Sequence, residues 1–195
     1  LEECSFSMFH PFGYCSGEEQ LRTLHQKQTV INRYITSYGE VSLWQIDESG
    51  LPELSRFVVE ENYKHHQPQM ILESNFQDEY LAVLKEEKAF FRYSSVIVAK
   101  NQLQQIVGAI RVTSWDKNPH TIPLAKLFGN HLIDIPQLLS THKHVWHIGR
   151  FAIRKGFSDN GKLFKLLMLY AISPIFRYSD GVLLAESDAH LLRVM

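Results

Sequence analysis

Cysteine is scarce in this chain. Cys4 and Cys15 are the only two in 195 residues, with no CxxC spacing and no matching histidine pair, so a structural zinc site is not expected, while a disulfide between them stays open. Charge of one sign is also lacking. Twenty basic against 21 acidic residues leave a formal charge of -1, which gives no field to draw the protein to nucleic acid or to a membrane surface. No apolar run reaches the roughly 20 residues that span a bilayer, and no charged segment followed by an apolar one opens the chain. A cytoplasmic protein with no membrane span and no nucleic-acid partner is therefore expected. Internal repeats and low-complexity tracts are missing too.

What is present is a chain able to fold around a full core, 45% hydrophobic and 12% aromatic. It opens on Leu1 and stops at LLRVM inside a helical pattern, so a longer natural chain is expected. Residues 1–17 read as irregular. Residues 18–37 place Leu21, Leu24, Ile31 and Ile35 at helical spacing and predict an amphipathic helix, so residues 1–40 are read as an N-terminal extension and 41–195 as the main domain. A strand follows at 41–46, then a helix from Leu51 with Pro52 in its first turn and a second helix over 74–90. Segments 91–100 and 105–115, rich in β-branched residues and joined by a short polar turn, predict an antiparallel pair. Residues 116–143 form a long connection with one short helical possibility near 124–128.

Chemistry concentrates in the stretch KHVWHIGRFAIRKGFSDNGKLFKLLMLYAI, which begins at Lys143. A strand passes into a turn rich in Gly, Asp and Asn and continues as an apolar helix that Pro174 stops near Ser173; residues 181–187 then read as a buried strand. Free backbone N–H groups and the positive end of the dipole make such a strand-to-helix junction a cradle for phosphate. Gly156 and Gly161 permit close backbone approach, Asn160 tolerates left-handed geometry, and Arg154, Lys155 and Lys162 add positive charge. The plainer alternative is a turn with a solvated basic rim. Arg111 and Arg150 lie within apolar strands, where a charge is costly unless paired, so each must either reach a cleft or find a carboxylate.

Three segments occur in a telling order: Gly108-Ala109-Ile110-Arg111-Val112, then Ile122-Pro123-Leu124-Ala125-Lys126-Leu127-Phe128, then Trp146-His147-Ile148-Gly149-Arg150-Phe151-Ala152-Ile153. They resemble motifs of the GNAT acyltransferase superfamily, and within it those of the autoinducer synthases and long-chain N-acyl amino acid synthases: G-x-x-R-L, L-P-L-x-x-x-F and W-E-I/F-S-R-F-A-V. The likeness covers roughly residues 90–170. It departs at His147, where the family usually has Glu, and at Gly149, where autoinducer synthases usually have Ser. The N-terminal half lacks the Arg, Trp and paired Asp pattern with which those synthases hold S-adenosylmethionine. The phosphate loop, with glycines five apart, also differs from the Q/R-x-x-G-x-G/A of acetyl-CoA users.

The resemblance implies an α/β fold, a central mixed twisted sheet flanked by helices, holding an acyl thioester beside the strand that carries Trp146. It implies an N-acyltransferase that moves an acyl group, expected to be of medium to long chain, from acyl carrier protein or acyl-CoA to a small amine such as an amino acid. The thioester would be a co-substrate, with no tightly bound cofactor and no metal. Backbone N–H groups of Phe151, Ala152 and Ile153 would face the oxygen that becomes negative, and Arg111 and Arg150 would shape the cleft. His147 would carry the proton, since imidazole titrates near neutral pH, with Glu186 as the rival base. Each has a plain alternative as a packed histidine or an ordinary carboxylate, and for the arginines a bracing Arg–Glu pair. Two other functions stay open: an acetyl-CoA-dependent acetyltransferase, and a GNAT-like module that binds ligand without catalysis.

Overall fold

Strands that are apolar on both faces need cover on both sides. Residues 96–99 and 106–113 are buried throughout and sit in the middle of the sheet for that reason. The structure, a computed structural model, describes residues 32–66, 73–115, 137, 140–178 and 180–185. In it six strands lie in chain order across one sheet: β1 (Arg33–Tyr38), β2 (Val41–Gln45), β3 (Ser94–Lys100), β4 (Ile106–Ser114), β5 (His144–Ile153) and β6 (Gly181–Ala185). Neighbours are antiparallel up to β5, whereas β6 runs parallel to β5. A parallel neighbour requires a crossover connection, and α3 (Asn160–Ile172) supplies it.

Each face has its own helices. Ile97, Ala99, Ile110, Val112, Trp146 and Ile148 pack on Leu163, Leu167 and Ala171 of α3. On the other face Val96, Val98, Ile106 and Ala109 meet Leu51, Leu54 and Phe57 of α1 (Leu51–His66). Leu51 and Leu54 are fully buried, and a side chain of that size contributes about 1.5–3 kcal/mol on leaving water. Helix α2 (Glu73–Phe90) lies against α1, with Tyr63 and Phe76 rings 6.1 Å apart. Asp47 launches this pair, its Oδ1 accepting from the Ser49 backbone N–H at 2.9 Å in a single 3-10 turn before α1.

The expected mixed sheet with flanking helices is therefore found, as are the helices from Leu51, before Phe90 and after Asp159. Two local expectations are corrected. The helix predicted over 18–37 does not hold over its last residues, because Arg33–Tyr38 is a strand that pairs with β2 from Arg33↔Gln45 to Tyr38↔Val41. A tight turn at Gly39, with φ +56°, brings that ladder together, and its hydrogen bonds outweigh the helical spacing of Ile31 and Ile35. Residues 91–93 form a 3-10 turn rather than the start of a strand, closed by Ser94 Oγ donating to the Phe90 carbonyl at 2.9 Å. Residues 18–31, the helical possibility at 124–128, the middle motif at 122–128 and Glu186 lie outside the described residues.

Candidate functional site

The site is built on an irregularity in β5. Its register with β4 goes from Arg111↔Gly149 to Ala109↔Ala152, so Arg150 and Phe151 together stand opposite Ile110 alone. This is a β-bulge, which bends the strand that carries it. Arg150 takes φ +53°, a left-handed conformation that costs a side-chain-bearing residue about 1–3 kcal/mol. The side chains record the consequence. Trp146 and Ile148 point toward α3, and so do Phe151 and Ile153 beyond the bulge, while Ala152 packs on the α1 face. Between them Gly149 and Arg150, although consecutive, both face α1 and α2.

Four charges gather on that face. Glu87 Oε1, on α2, accepts from Arg111 Nη1 at 2.5 Å and from Arg150 Nε at 2.7 Å. Glu86 Oε1 accepts from Arg150 Nη2 at 2.9 Å and lies 3.5 Å from Arg111 Nη2. Arg111 and Glu87 are 2% and 1% exposed, against 22% for Arg150 and 31% for Glu86, so the pair at the centre is dry and the rim is open. Burial pulls the Arg111 guanidinium below its ordinary range, Glu87 opposes this, and the nearby Arg150 adds to the lowering. A guanidinium nevertheless stays cationic in a protein. The two strand arginines thus find carboxylates, as the bracing alternative required.

His147 is buried one turn of the pleat away, between Thr113 of β4 and Leu184 of β6. A Cβ placed on Gly149 would lie 3.1 Å from His147 Cε1 and 3.4 Å from Arg111 Nη2. Glycine here is what lets imidazole and guanidinium close in beside the bulge. On the opposite face Trp146 stacks with His144 and meets the tilted Tyr178 ring, ring centroids 5.6 and 5.1 Å away, and is a core residue.

The pairing of β5 with β6 is described as far as Ala185, the last described residue of that strand. The last pair is Ile148↔Ala185, and residues 149–153 have no β6 partner among the described residues. The strand then turns into α3 through a tethered loop. Arg154 Nη2 donates to the Ile106 carbonyl at 2.7 Å, and Lys155 Nζ to the Lys64 carbonyl at 2.8 Å. Lys162 Nζ lies 3.2 Å from Asp159 Oδ2, and that carboxylate raises the lysine pKa. The basic side chains expected to meet phosphate therefore all make bonds within the chain. Gly156, at φ +82°, Asn160 and Gly161 are exposed, and no side chain caps the start of α3 among the described residues.

Glu61 was not legible as part of this region. Buried on α1, it accepts from the Lys155 backbone N–H at 2.8 Å and from Lys64 Nζ at 2.8 Å, which pins the loop to the helix. Glu61→Ala is expected to cost about 1–3 kcal/mol, the loss of two charge-assisted hydrogen bonds to a buried carboxylate. Amide hydrogen exchange should locate the damage, speeding at Lys155 while β3 stays protected. Among the described residues no three metal-ligating side chains come together, and no helix is long and apolar enough to cross a membrane.

No family model matches the chain, and no curated protein is significantly similar to it. Likeness is found among solved structures. An acetyltransferase of the GNAT family from Staphylococcus aureus Mu50 is 14% identical, with 78% of this chain and 77% of that chain covered and a TM-score of 0.51. An integron cassette protein from the mobile metagenome of V. cholerae is 11% identical, with 80% of each chain covered and a TM-score of 0.50. At such identities the likeness is one of architecture. The six-stranded mixed sheet, with α1 and α2 on one face and α3 on the other, is the fold of GNAT acetyltransferases.

Proposed function

We propose that the protein is an N-acyltransferase that moves an acyl group from a thioester to the amine of a small acceptor such as an amino acid. The observation that carries this reading is the bulge in β5 at Arg150 and Phe151, which bends the strand just before residues 151–153 run on toward the start of α3. A thioester laid along this stretch would receive at its carbonyl oxygen those backbone N–H groups of residues 151–153 that point away from β4, Ala152 being registered with Ala109 in the ladder. Donors aimed at a developing oxyanion are worth about 10²–10³ each in kcat. The amine attacks the carbonyl carbon, the new C–N bond forms, and the negative oxygen rests on those N–H groups. Collapse of the tetrahedral intermediate breaks the C–S bond. The proton lost by nitrogen passes to His147, directly or through water, and on to the leaving thiolate, with Glu186 as the other acceptor. Arg111 and Arg150 border the acceptor side, and Gly156, Asn160, Gly161 and Lys162 line the end at which the phosphate of the donor would lie.

The tethered loop favours a donor on acyl carrier protein over coenzyme A. Arg154, Lys155 and Lys162 are engaged within the chain and Glu61 already occupies the Lys155 N–H, an arrangement suited to one phosphodiester rather than a diphosphate. Mass spectrometry after incubation with acetyl-CoA, a long-chain acyl-CoA and a long-chain acyl carrier protein, each with pooled amino acids, tests both points. An N-acylated product from the carrier-protein thioester is the expected result. Consumption of acetyl-CoA alone would replace it with an acetyltransferase, and binding without thiol release would leave a ligand-binding module.

A further inference from the structure

The left-handed Arg150 has to be held by something. Residues in such conformations persist where their surroundings over-determine them. The ladder to β4 does not do this, since it leaves β5 at Gly149 and resumes at Ala152. The side chain of Arg150 is held instead, at 2.7 Å by Glu87 and 2.9 Å by Glu86. Glu87 is the stiffer anchor. It is 1% exposed on α2, and the oxygen that takes Arg150 Nε also takes Arg111 Nη1 from β4, the residue registered with Gly149. One carboxylate from a helix thus fastens the straight strand and the bulged strand to the same point, immediately before residues 151–153.

We propose that Glu87 is a positioning residue for acyl transfer: by clamping Arg150 against Arg111 it fixes the bulge and so aims the edge of β5 at residues 151–153. It does not touch the reacting atoms. The proposal rests on the acyltransferase reading for its effect on rate, whereas the clamp itself is open to measurement without substrate.

Two backgrounds separate the clamp from general damage. Glu87→Gln keeps the size of the side chain and removes the charge that holds both guanidiniums. In the native background kcat is expected to fall about tenfold to a hundredfold, the scale of a misplaced catalytic geometry, with KM for the thioester changing far less. Arg150→Gly provides the second background, because glycine takes φ > 0 with no steric cost and needs no clamp. There Glu87→Gln should change kcat by less than about threefold, the gap between backgrounds being the coupling a mutant cycle measures. Amide hydrogen exchange at residues 151–153 should follow the same pattern in the absence of any thioester, speeding on Glu87→Gln only where Arg150 is present. Equal losses in both backgrounds, or unchanged exchange at 151–153 with Glu87→Gln folded, would overturn the clamp. A native protein that turns over no thioester while its exchange shows the cycle would overturn the acyltransferase reading and leave the clamp standing.

Discussion

Arg111→Met is expected to lower stability by about 3–5 kcal/mol, the scale for breaking a buried ion pair and leaving its partner unbalanced. Glu87 is 1% exposed and would lose its closest cation, 2.5 Å away, while Met roughly fills the space of the Arg111 stem on the apolar strand. The loss should fall toward the lower figure because Arg150 still donates to the same oxygen at 2.7 Å. The informative comparison is with Arg111→Met/Glu87→Met. Removing both charges takes away the stranded carboxylate, and Arg150 retains Glu86 at 2.9 Å near the surface. Urea unfolding should therefore find the double variant more stable than Arg111→Met alone. A single variant that costs less than about 1 kcal/mol would show that the charges are not held dry, since exposed pairs have that value.

Gly181→Ala should follow closely. A Cβ at Gly181 would stand 2.3 Å from Trp146 Cζ3 and 3.1 Å from Cη2, and the indole cannot swing away because His144 and Tyr178 pack against it. Since Gly181 is registered with His144 at the first pair of β5 and β6, relief requires β6 to move. Overpacking of this kind costs about 1–3 kcal/mol, and for a chain of this length each kcal/mol lowers Tm by about 2–4 °C. Gly161→Ala is the matched control: nothing lies within 4 Å of a Cβ there, and alanine in place of glycine in a helix gains about 0.5–1 kcal/mol. Thermal melts in which the two variants move in opposite directions are expected; equal melting temperatures would mean that β6 is not seated on Trp146 as described.

Which parts of this molecule could be read from residues alone follows from which forces are local. Helical spacing from Leu51 and the apolar run after Asp159 are local patterns, and both helices lie where the pattern places them. The β-branched runs at β3 and β4 were legible for the same reason. Strand β1 was not, because Ile31 and Ile35 fit a helix as well as a strand and only pairing with β2 decides between them. In the site, Arg111 and Arg150 announced themselves as charges in apolar strands that need carboxylates. Their partners did not, since Glu86 and Glu87 belong to the charged run Lys85-Glu86-Glu87-Lys88, in which nothing local singles out two carboxylates for the strands. Phe90, whose ring centroid lies 5.5 Å from the Arg111 guanidinium, and the helical spacing of Tyr80, Val83 and Leu84 with Glu87 are the local signs that this face turns inward. A bulge leaves no mark in composition at all, because it depends on register between two strands.

The order of the strands carries a consequence for how the molecule is made. Every described strand after the first lies beside its predecessor in the chain, so each one leaving the ribosome meets a partner already synthesised. Pairing of neighbours along the chain keeps closure distances short and favours rapid folding. Among the described strands the one step of another kind is the parallel docking of β6 through the α3 crossover. Strand β5 thus gains α3 and β6 only after β1–β4 have been made, and a nascent chain carries its scaffold before it carries a site.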